Sequence, residues 1–337
     1  MKSSNCKIFK RVFAVALFCA FSVGLFAENI VDKSFSLFNE FNSLKIPVYI
    51  SFECESDGLV AKGVNPKEVE FSTPSFYGEY VVDESGRQVF YVSYKKPTEV
   101  NANYIRAITK DKIWLTYIPS RKLAVVKKEV SPYIGRQSYM DFLAKVPDDD
   151  FTYPTKTFAQ LLQMSRLDGN KLVFSATENG FKAAFYVDKR DAVDKRIKIM
   201  DMYVFDFIGT KTDKTLASIQ HRFLLTDFFG NEIESPVVAE YIYSDFAKIK
   251  NGVKIPKKIV YNMNVIAPKM DEQGKILSVR QKRVFWQTVV VKEISADKQK
   301  IAEKSCISLP KDTRLIDEIN STAFDVGDIV KPDKSGQ

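Results

Sequence analysis

The sequence predicts a mainly β protein: a single long antiparallel sheet, read as curled, with an N-terminal helix and a helical insertion covering it. Three observations predict it. Short stretches of apolar–polar alternation recur along the chain between turn residues, and a period of two is the mark of half-buried strands. Asn and Gly stand side by side at Asn179-Gly180, Gly230-Asn231 and Asn251-Gly252, and such steps favour tight hairpins, because a type I′ turn needs φ above zero at both central positions. A sheet of that many strands must either split into two layers or curl.

The opening segment is an address label. Lys2, Lys7, Lys10 and Arg11 precede an apolar run from Val12 to Phe26, and the small residue Ala27 follows, the layout of a secretory signal cut after Ala27. The run is shorter than the ~20 apolar residues of a spanning helix. An uncleaved anchor and lipidation at Cys19 are the other readings, the second disfavoured by Phe18 in a place that needs a small residue. Removing residues 1–27 takes 50 basic residues to 46 against 42 acidic, and the formal charge from +8 to +4. Half of the net positive charge thus belongs to the signal, and no basic stripe points to nucleic acid.

Residues 28–330 then read as one domain, with a polar tail at 331–337. Ile30 to Leu44 is amphipathic at helical spacing, with Phe35, Phe38 and Phe41 on its greasy side, and Pro47 stops it. Val48–Glu55 alternates as a strand with Val48, Ile50, Phe52 and Cys54 on one face. Tyr77–Val82 and Gln88–Tyr94 flank an Asp83–Gly86 turn. Tyr104–Thr109, Ile113–Ile118 and Leu123–Glu129 form a tight meander. Residues 131–166 interrupt the pattern with Pro132, Pro147, Pro154 and the run Asp148-Asp149-Asp150. This insertion carries two expected helices, Tyr139–Lys145 and Lys156–Arg166, and is expected to lie over the sheet.

Alternation resumes at Lys171–Ala176 and Phe181–Val187. Further strands are expected at Ile197–Ile208, His221–Phe228, Val237–Tyr243, Lys257–Ile266 and Val284–Ile294, with a long loop over 266–283. In Lys257–Ile266 the residues Ile259, Tyr261, Met263 and Val265 share one face. Asn262 and Asn264 sit on the other, wetter one.

Little in this chain suggests catalysis or a metal. The single histidine, His221, cannot build a multi-histidine zinc site, and G-x-S-x-G, P-loop and dinucleotide glycine motifs are absent. The aspartate run lacks the glycine and terminal glutamate of a calcium loop and reads as a solvated turn. Paired carboxylates of a hydrolase are spatial and stay open. No enzyme activity, cofactor or metal is expected. Cys54 and Cys306, the cysteines left after the signal, have two readings in an exported protein: a disulfide, or two separate thiols.

What is plentiful is aromatic surface, with 26 Phe, 15 Tyr and 2 Trp. Core packing accounts for any one of them. As a set on a curled sheet they suggest an apolar cavity of the kind that takes a lipid or acyl chain. Trp114, Tyr117, Tyr261, Met263 and Trp286 are candidate lining residues because they fall on expected strands, and Phe35 and Phe38 are candidates for a lid.

Four stretches resemble a known family, the periplasmic outer-membrane lipoprotein carrier (LolA/LolB-like) superfamily. They are the opening helix IVDKSFSLFNEFN, the strand–Pro-turn–strand IWLTYIPSRKLAVVKKE, the hairpin region with Gly252-x-x-x-Pro256, and the closing run that ends Ile307-x-x-Pro310. The resemblance implies an unclosed barrel with helices over its mouth. It also implies a non-catalytic role in holding or shuttling lipidated proteins or lipids towards the outer membrane, with inner- and outer-membrane transport components as partners and no nucleic acid. A sensor or scaffold of the same fold that binds protein partners is the alternative. The insertion at 131–166 and the loop at 266–283 make this chain longer than the family pattern.

Overall fold

Alternation becomes pairing in the structure, a computed structural model that describes residues 46–58, 60–61, 70–71, 74–99, 101–109, 111, 113–128, 158–191, 196–209, 214–249 and 254–329. The expected signal, the helices at 30–44 and 139–145, the Asp148–Asp150 run, the Asn251-Gly252 turn and the tail lie outside these residues. The strands begin with β1 (Val48–Gly58), a separate short pair β2 (Val60–Ala61) and β3 (Glu70–Phe71), then β4 (Phe76–Val82) and β5 (Gln88–Tyr94). β6 (Tyr104–Ile108), β7 (Trp114–Ile118) and β8 (Leu123–Lys127) complete the first half. The second half holds β9 (Lys171–Thr177), β10 (Gly180–Asp191), β11 (Lys198–Gly209), β12 (Lys214–Thr226), β13 (Glu232–Glu234) and β14 (Ala239–Lys248). Two long strands follow, β15 (Lys254–Met270) and β16 (Ile276–Ser295), and then the short β17 (Arg314–Asp317) and β18 (Thr322–Asp325).

Sixteen of these strands make one sheet, ordered β18-β17-β8-β7-β6-β5-β4-β1-β16-β15-β14-β12-β11-β10-β9, with β13 beside β12. Its pairings are antiparallel except β17 on β8, which is parallel. The ends β18 and β9 do not meet, so the sheet is unclosed. Its register shifts at Ser51/Phe52, Val187/Lys189, Asp206/Phe207 and Met263/Asn264, and irregularities of this kind let a broad sheet bend.

The inner face carries the main core. Val48, Ile50, Phe52 and Cys54 of β1 point into it, as their alternation predicts, and so do Phe76 and Tyr80 of β4, Tyr203 and Phe205 of β11, and Tyr241 of β14. One described piece of the insertion lies on this face: α1 (Phe158–Met164), within the expected Lys156–Arg166, buries Leu161 completely among the core side chains. A second helix, α2 (Lys298–Ser305), packs on the opposite face. There Ile301 joins Tyr49, Val81, Val89 and Ala107. Asp297 caps it by accepting from the Lys300 amide at 3.0 Å, and Tyr91 donates to the Lys304 carbonyl at 2.6 Å. The chain's last described turn is α3 (Val326–Ile329). Among the described residues no helix is long and apolar enough to cross a membrane.

Three expectations need correction. Residues 266–283 are not a loop: β15 and β16 run on to Met270 and from Ile276, joined by a turn in which Asp271 accepts from the Gln273 and Lys275 amides. This extension is held by a small separate core of Ile197, Leu225 and Ile276, with Met270 and Val279 against it. Val265 is exposed and Asn264 is buried, because β14 pairs no further than Met263 and the register against β16 shifts at the same point. Asn264 is satisfied there, its side chain donating to the Val237 carbonyl at 2.9 Å. At Asn179-Gly180 the turn is closed by Thr177 opposite Gly180, and no residue in it takes a positive φ. Gly180 is needed for another reason. A methyl there would lie 2.8 Å from the Phe207 carbonyl carbon, and closer still to its oxygen.

Candidate functional site

The feature with the makings of a binding site is the inner face where β14, β15 and β16 adjoin β1. Period-two alternation sets Tyr241 opposite Tyr261, and Tyr261 in turn neighbours β16. Their rings lie 5.0 Å apart, and Phe285 meets Tyr261 edge-on at 6.0 Å. Such edge and tilted arrangements suit the ring quadrupoles and leave an apolar wall. Along the β1–β4 side the wall continues through Phe52 and Phe76, whose rings meet at 6.0 Å and 80°. Gly78 makes this possible: it lies directly across from Phe52, and its missing side chain leaves the space that the Phe52 ring fills.

At one end of this wall is a cleft of about 370 Å³, lined by Ile46, Val48, Ala247, Ile249 and Ile294 together with Lys248. That is near the lower end of ligand pockets, which run from roughly 300 to 1,000 Å³. Its lining is the start of β1 and the ends of β14 and β16, so the cleft opens where the inner face reaches the rim of the sheet. The lining offers apolar surface for a chain and one ammonium for an anionic group.

Polar groups interrupt the inner face: Gln287, buried opposite Tyr261, donates to the Ser56 hydroxyl at 3.2 Å, and a second polar pair lies on β11 and β12. Asp201 and His221 sit diagonally across β11 and β12, Asp201 opposite Phe223 and His221 opposite Tyr203, with Nε2 of the histidine 3.2 Å from Asp201 Oδ1, and both are buried. The imidazole lies flat on Tyr203, 4.7 Å away and 10° from parallel, and edge-on to Phe223. A buried ion-pair-capable contact held by two rings is rigid. Asp201 escaped the sequence reading, although it shares the alternation of Tyr203 and Phe205 and could have been placed from it. Among the described residues no group of three or more His, Cys, Asp or Glu is placed to hold a metal.

The candidate lining residues divide. Tyr261 and Met263 stand together on the inner face and are buried. Trp114 shares the inner register with Ile108 but is only half-buried, its ring 5.7 Å from the Arg106 guanidinium. Tyr117 pairs with Ile105 on the outer face, the α2 side. Trp286 is likewise on the outer face, opposite Asn262 in a polar row where Asn262 donates to Glu240 at 2.9 Å. Strand membership does not decide which way a side chain points, and here one residue separates Trp286 from the inward Phe285. Phe35 and Phe38 lie outside the described residues. Cys54 and Cys306 are not bridged but free. One is buried on the inner face, 3.8 Å from the Ser56 hydroxyl, and the other is exposed just after α2 on the outer side. Burial pushes the Cys54 thiol up to about 12.

No protein-family model matches the chain, and no curated protein matches it by sequence. Among solved structures it is similar to a LolA superfamily protein from Nitrosomonas europaea, at 6% identity and a TM-score of 0.35, over 78% of this chain and 93% of that one. It is also similar to a domain from Vibrio parahaemolyticus described as an outer membrane lipoprotein-sorting protein, at 7% identity and a TM-score of 0.31, over 82% of this chain and 99% of that one. The first is described as a member of the superfamily that the four sequence stretches resemble.

Proposed function

We propose that this protein is a non-catalytic, exported binding protein of the periplasm, cut after Ala27, whose 28–330 domain holds the acyl chains of a lipid or lipidated protein against its inner face on the way to the outer membrane. The observation that carries the reading is the aromatic wall of Phe52, Phe76, Tyr241, Tyr261 and Phe285, which ends in an apolar cleft at the sheet's rim. Each methylene moved from water to such a wall gains roughly 0.8 kcal/mol, so a few carbons of an acyl chain suffice for useful retention. Loading needs the cover of the inner face to part, and α1, attached there through Leu161, is the described element that would lift. Inner- and outer-membrane transport components would supply and accept the cargo.

Native mass spectrometry of protein purified gently from an envelope fraction, before and after solvent extraction, tests this. A stoichiometric acylated species is expected on the wild type. It should be lost in Ala247→Trp, which fills the cleft while the melting temperature holds. An acylated species kept by Ala247→Trp, or none on the wild type under any gentle preparation, would overturn the reading.

The second reading is a sensor or scaffold that takes a protein strand on its open edge. β9 favours it: this edge strand leaves Val173 42% exposed, and exposed edges invite an added strand. It predicts a stable complex indifferent to Ala247→Trp.

A further inference from the structure

We propose that the end of the sheet opposite the cleft is a docking surface for an anionic lipid bilayer, with Phe228 and Phe229 as its apolar tip and the basic outer wall of the β15–β16 hairpin beside them. The β12–β13 turn puts two phenylalanines side by side in water, Phe228 at 71% and Phe229 at 56% exposure, with their rings edge-on 5.8 Å apart. A single exposed ring is ordinary, but an adjacent pair at a loop tip is a costly arrangement for a turn with no use for it.

The turn is not free to tuck the rings away. Asp227 Oδ1 accepts from the Phe229 amide at 3.0 Å and the Asn231 amide at 2.9 Å, while the Gly230 amide donates to the Asp227 carbonyl at 3.0 Å. Gly230 takes the positive φ of 83° that closes the loop. Below it sits the separate core of Ile197, Leu225 and Ile276, with Phe223 and Ile233 packed against it and the two rings left outside. The tip therefore stands on a platform of its own.

The hairpin abuts this tip. A methyl on Gly274, in the β15–β16 turn, would lie 3.4 Å from Phe228 Cβ and 3.3 Å from Arg196 Cδ. From residue 267 to residue 283 the sequence carries five basic residues, Lys269, Lys275, Arg280, Lys282 and Arg283, against Asp271 and Glu272. Asp271 is already engaged by its own turn. Cross-strand register sets Lys269 opposite Ser278, Ala267 opposite Arg280 and Val265 opposite Lys282, which gathers Lys269, Arg280 and Lys282 on the face away from the small core. All three are exposed, and Val265 on the same face is 55% exposed. An aromatic tip beside a basic, partly apolar wall fits the headgroup layer of a bilayer, where rings settle at the apolar boundary and ammonium and guanidinium groups meet lipid phosphates. A protruding pair of rings suits a yielding surface better than a rigid protein, which would need a matching hole. Each cation near an anionic membrane strengthens binding about fivefold.

The site needs no bound cargo and lies outside the cleft, so it stands or falls apart from the carrier reading. Co-sedimentation of the full chain with vesicles tests it, using phosphatidylcholine with and without phosphatidylglycerol. Every comparison is made within the same chain length, so that the apolar run at 12–26 contributes equally. Phe228→Ser with Phe229→Ser should lower partitioning at least tenfold without moving the melting temperature, since both rings are exposed. Arg280→Glu with Lys282→Glu should lower binding to the anionic vesicles by at least tenfold and leave pure phosphatidylcholine unchanged, and added salt should erase that difference. Partitioning equal to wild type in both variants would overturn the proposal, as would a folded wild type that binds neither vesicle. A phenylalanine variant that loses vesicles yet keeps an extractable acylated species separates this surface from the cleft.

Discussion

Three glycines of this sheet are glycines for three different physical reasons, and replacing each by alanine should rank their costs. Gly180→Ala places a methyl 2.8 Å from the Phe207 carbonyl carbon, and backbone cannot rotate aside. β10 and β11 must part there, which sacrifices the end of their ladder at Gly180–Ile208 and the 2.9 Å bond from the Gly209 amide to the Asn179 carbonyl. Two hydrogen bonds at about 1 kcal/mol each, with disturbance of the stacked Phe181–Phe207 pair beside them, give roughly 2–4 kcal/mol. Gly78→Ala meets a ring instead, with Phe52 Cε1 at 2.7 Å. The ring can shift but is buried, so overpacking costs about 1–3 kcal/mol, and Phe52→Leu should restore most of it. Gly230→Ala meets nothing within 4 Å and loses only through its φ of 83°, for about 1 kcal/mol. Urea unfolding reads the series as falling midpoints at a constant slope. If Gly180→Ala proves as mild as Gly230→Ala, the close approach of β10 to β11 is wrong, and with it the account of why glycine stands at that turn.

Two further outcomes follow from charge and burial. Glu53 accepts from Lys292 at 2.8 Å and from Lys95 at 2.5 Å, and these bonds lower its carboxyl from 4.5 to about 2. A depressed folded value means stabilisation that is present above pH 4.5 and fades as pH falls through about 2, so the stability gap between wild type and Glu53→Gln should close over that window. The group is partly exposed, so the gap is small and salt-sensitive, and a gap that widened towards acid would refute the assignment. For the thiols, iodoacetamide without reductant should label Cys306 in the native protein and Cys54 only after unfolding, read by peptide mapping. A Cys54–Cys306 cross-linked peptide would count against the free, oppositely facing arrangement.

Much of the sheet was legible because local pattern and local pairing coincide. β5 falls on Gln88–Tyr94 as alternation predicts, and the Asp83–Gly86 turn fixes its register on β4, with Gly86 at φ 80°. Where the pattern lacks contrast, reading failed. The β15–β16 extension is polar on much of both faces, so only its turn residues marked it, and its order comes from Met270, Ile276 and Val279 packing on residues some fifty to eighty positions earlier in the chain. α2 was missed because it buries a single large apolar side chain, Ile301, which leaves no helical stripe to see. The inner wall was half legible for a related reason. Tyr261 and Met263 keep step with Ile259 through an unbroken register, so their shared face could be read directly. Trp286 sits in that same unbroken register, opposite Asn262, but β16 sets it beside Phe285 and puts the polar Gln287 on the inner face, so its own pattern does not say which of the two rings points inward. Facing inward is thus a property of pairs of strands and not of either strand. The residues that build a wall in such a sheet become knowable only once each strand is set against its partners.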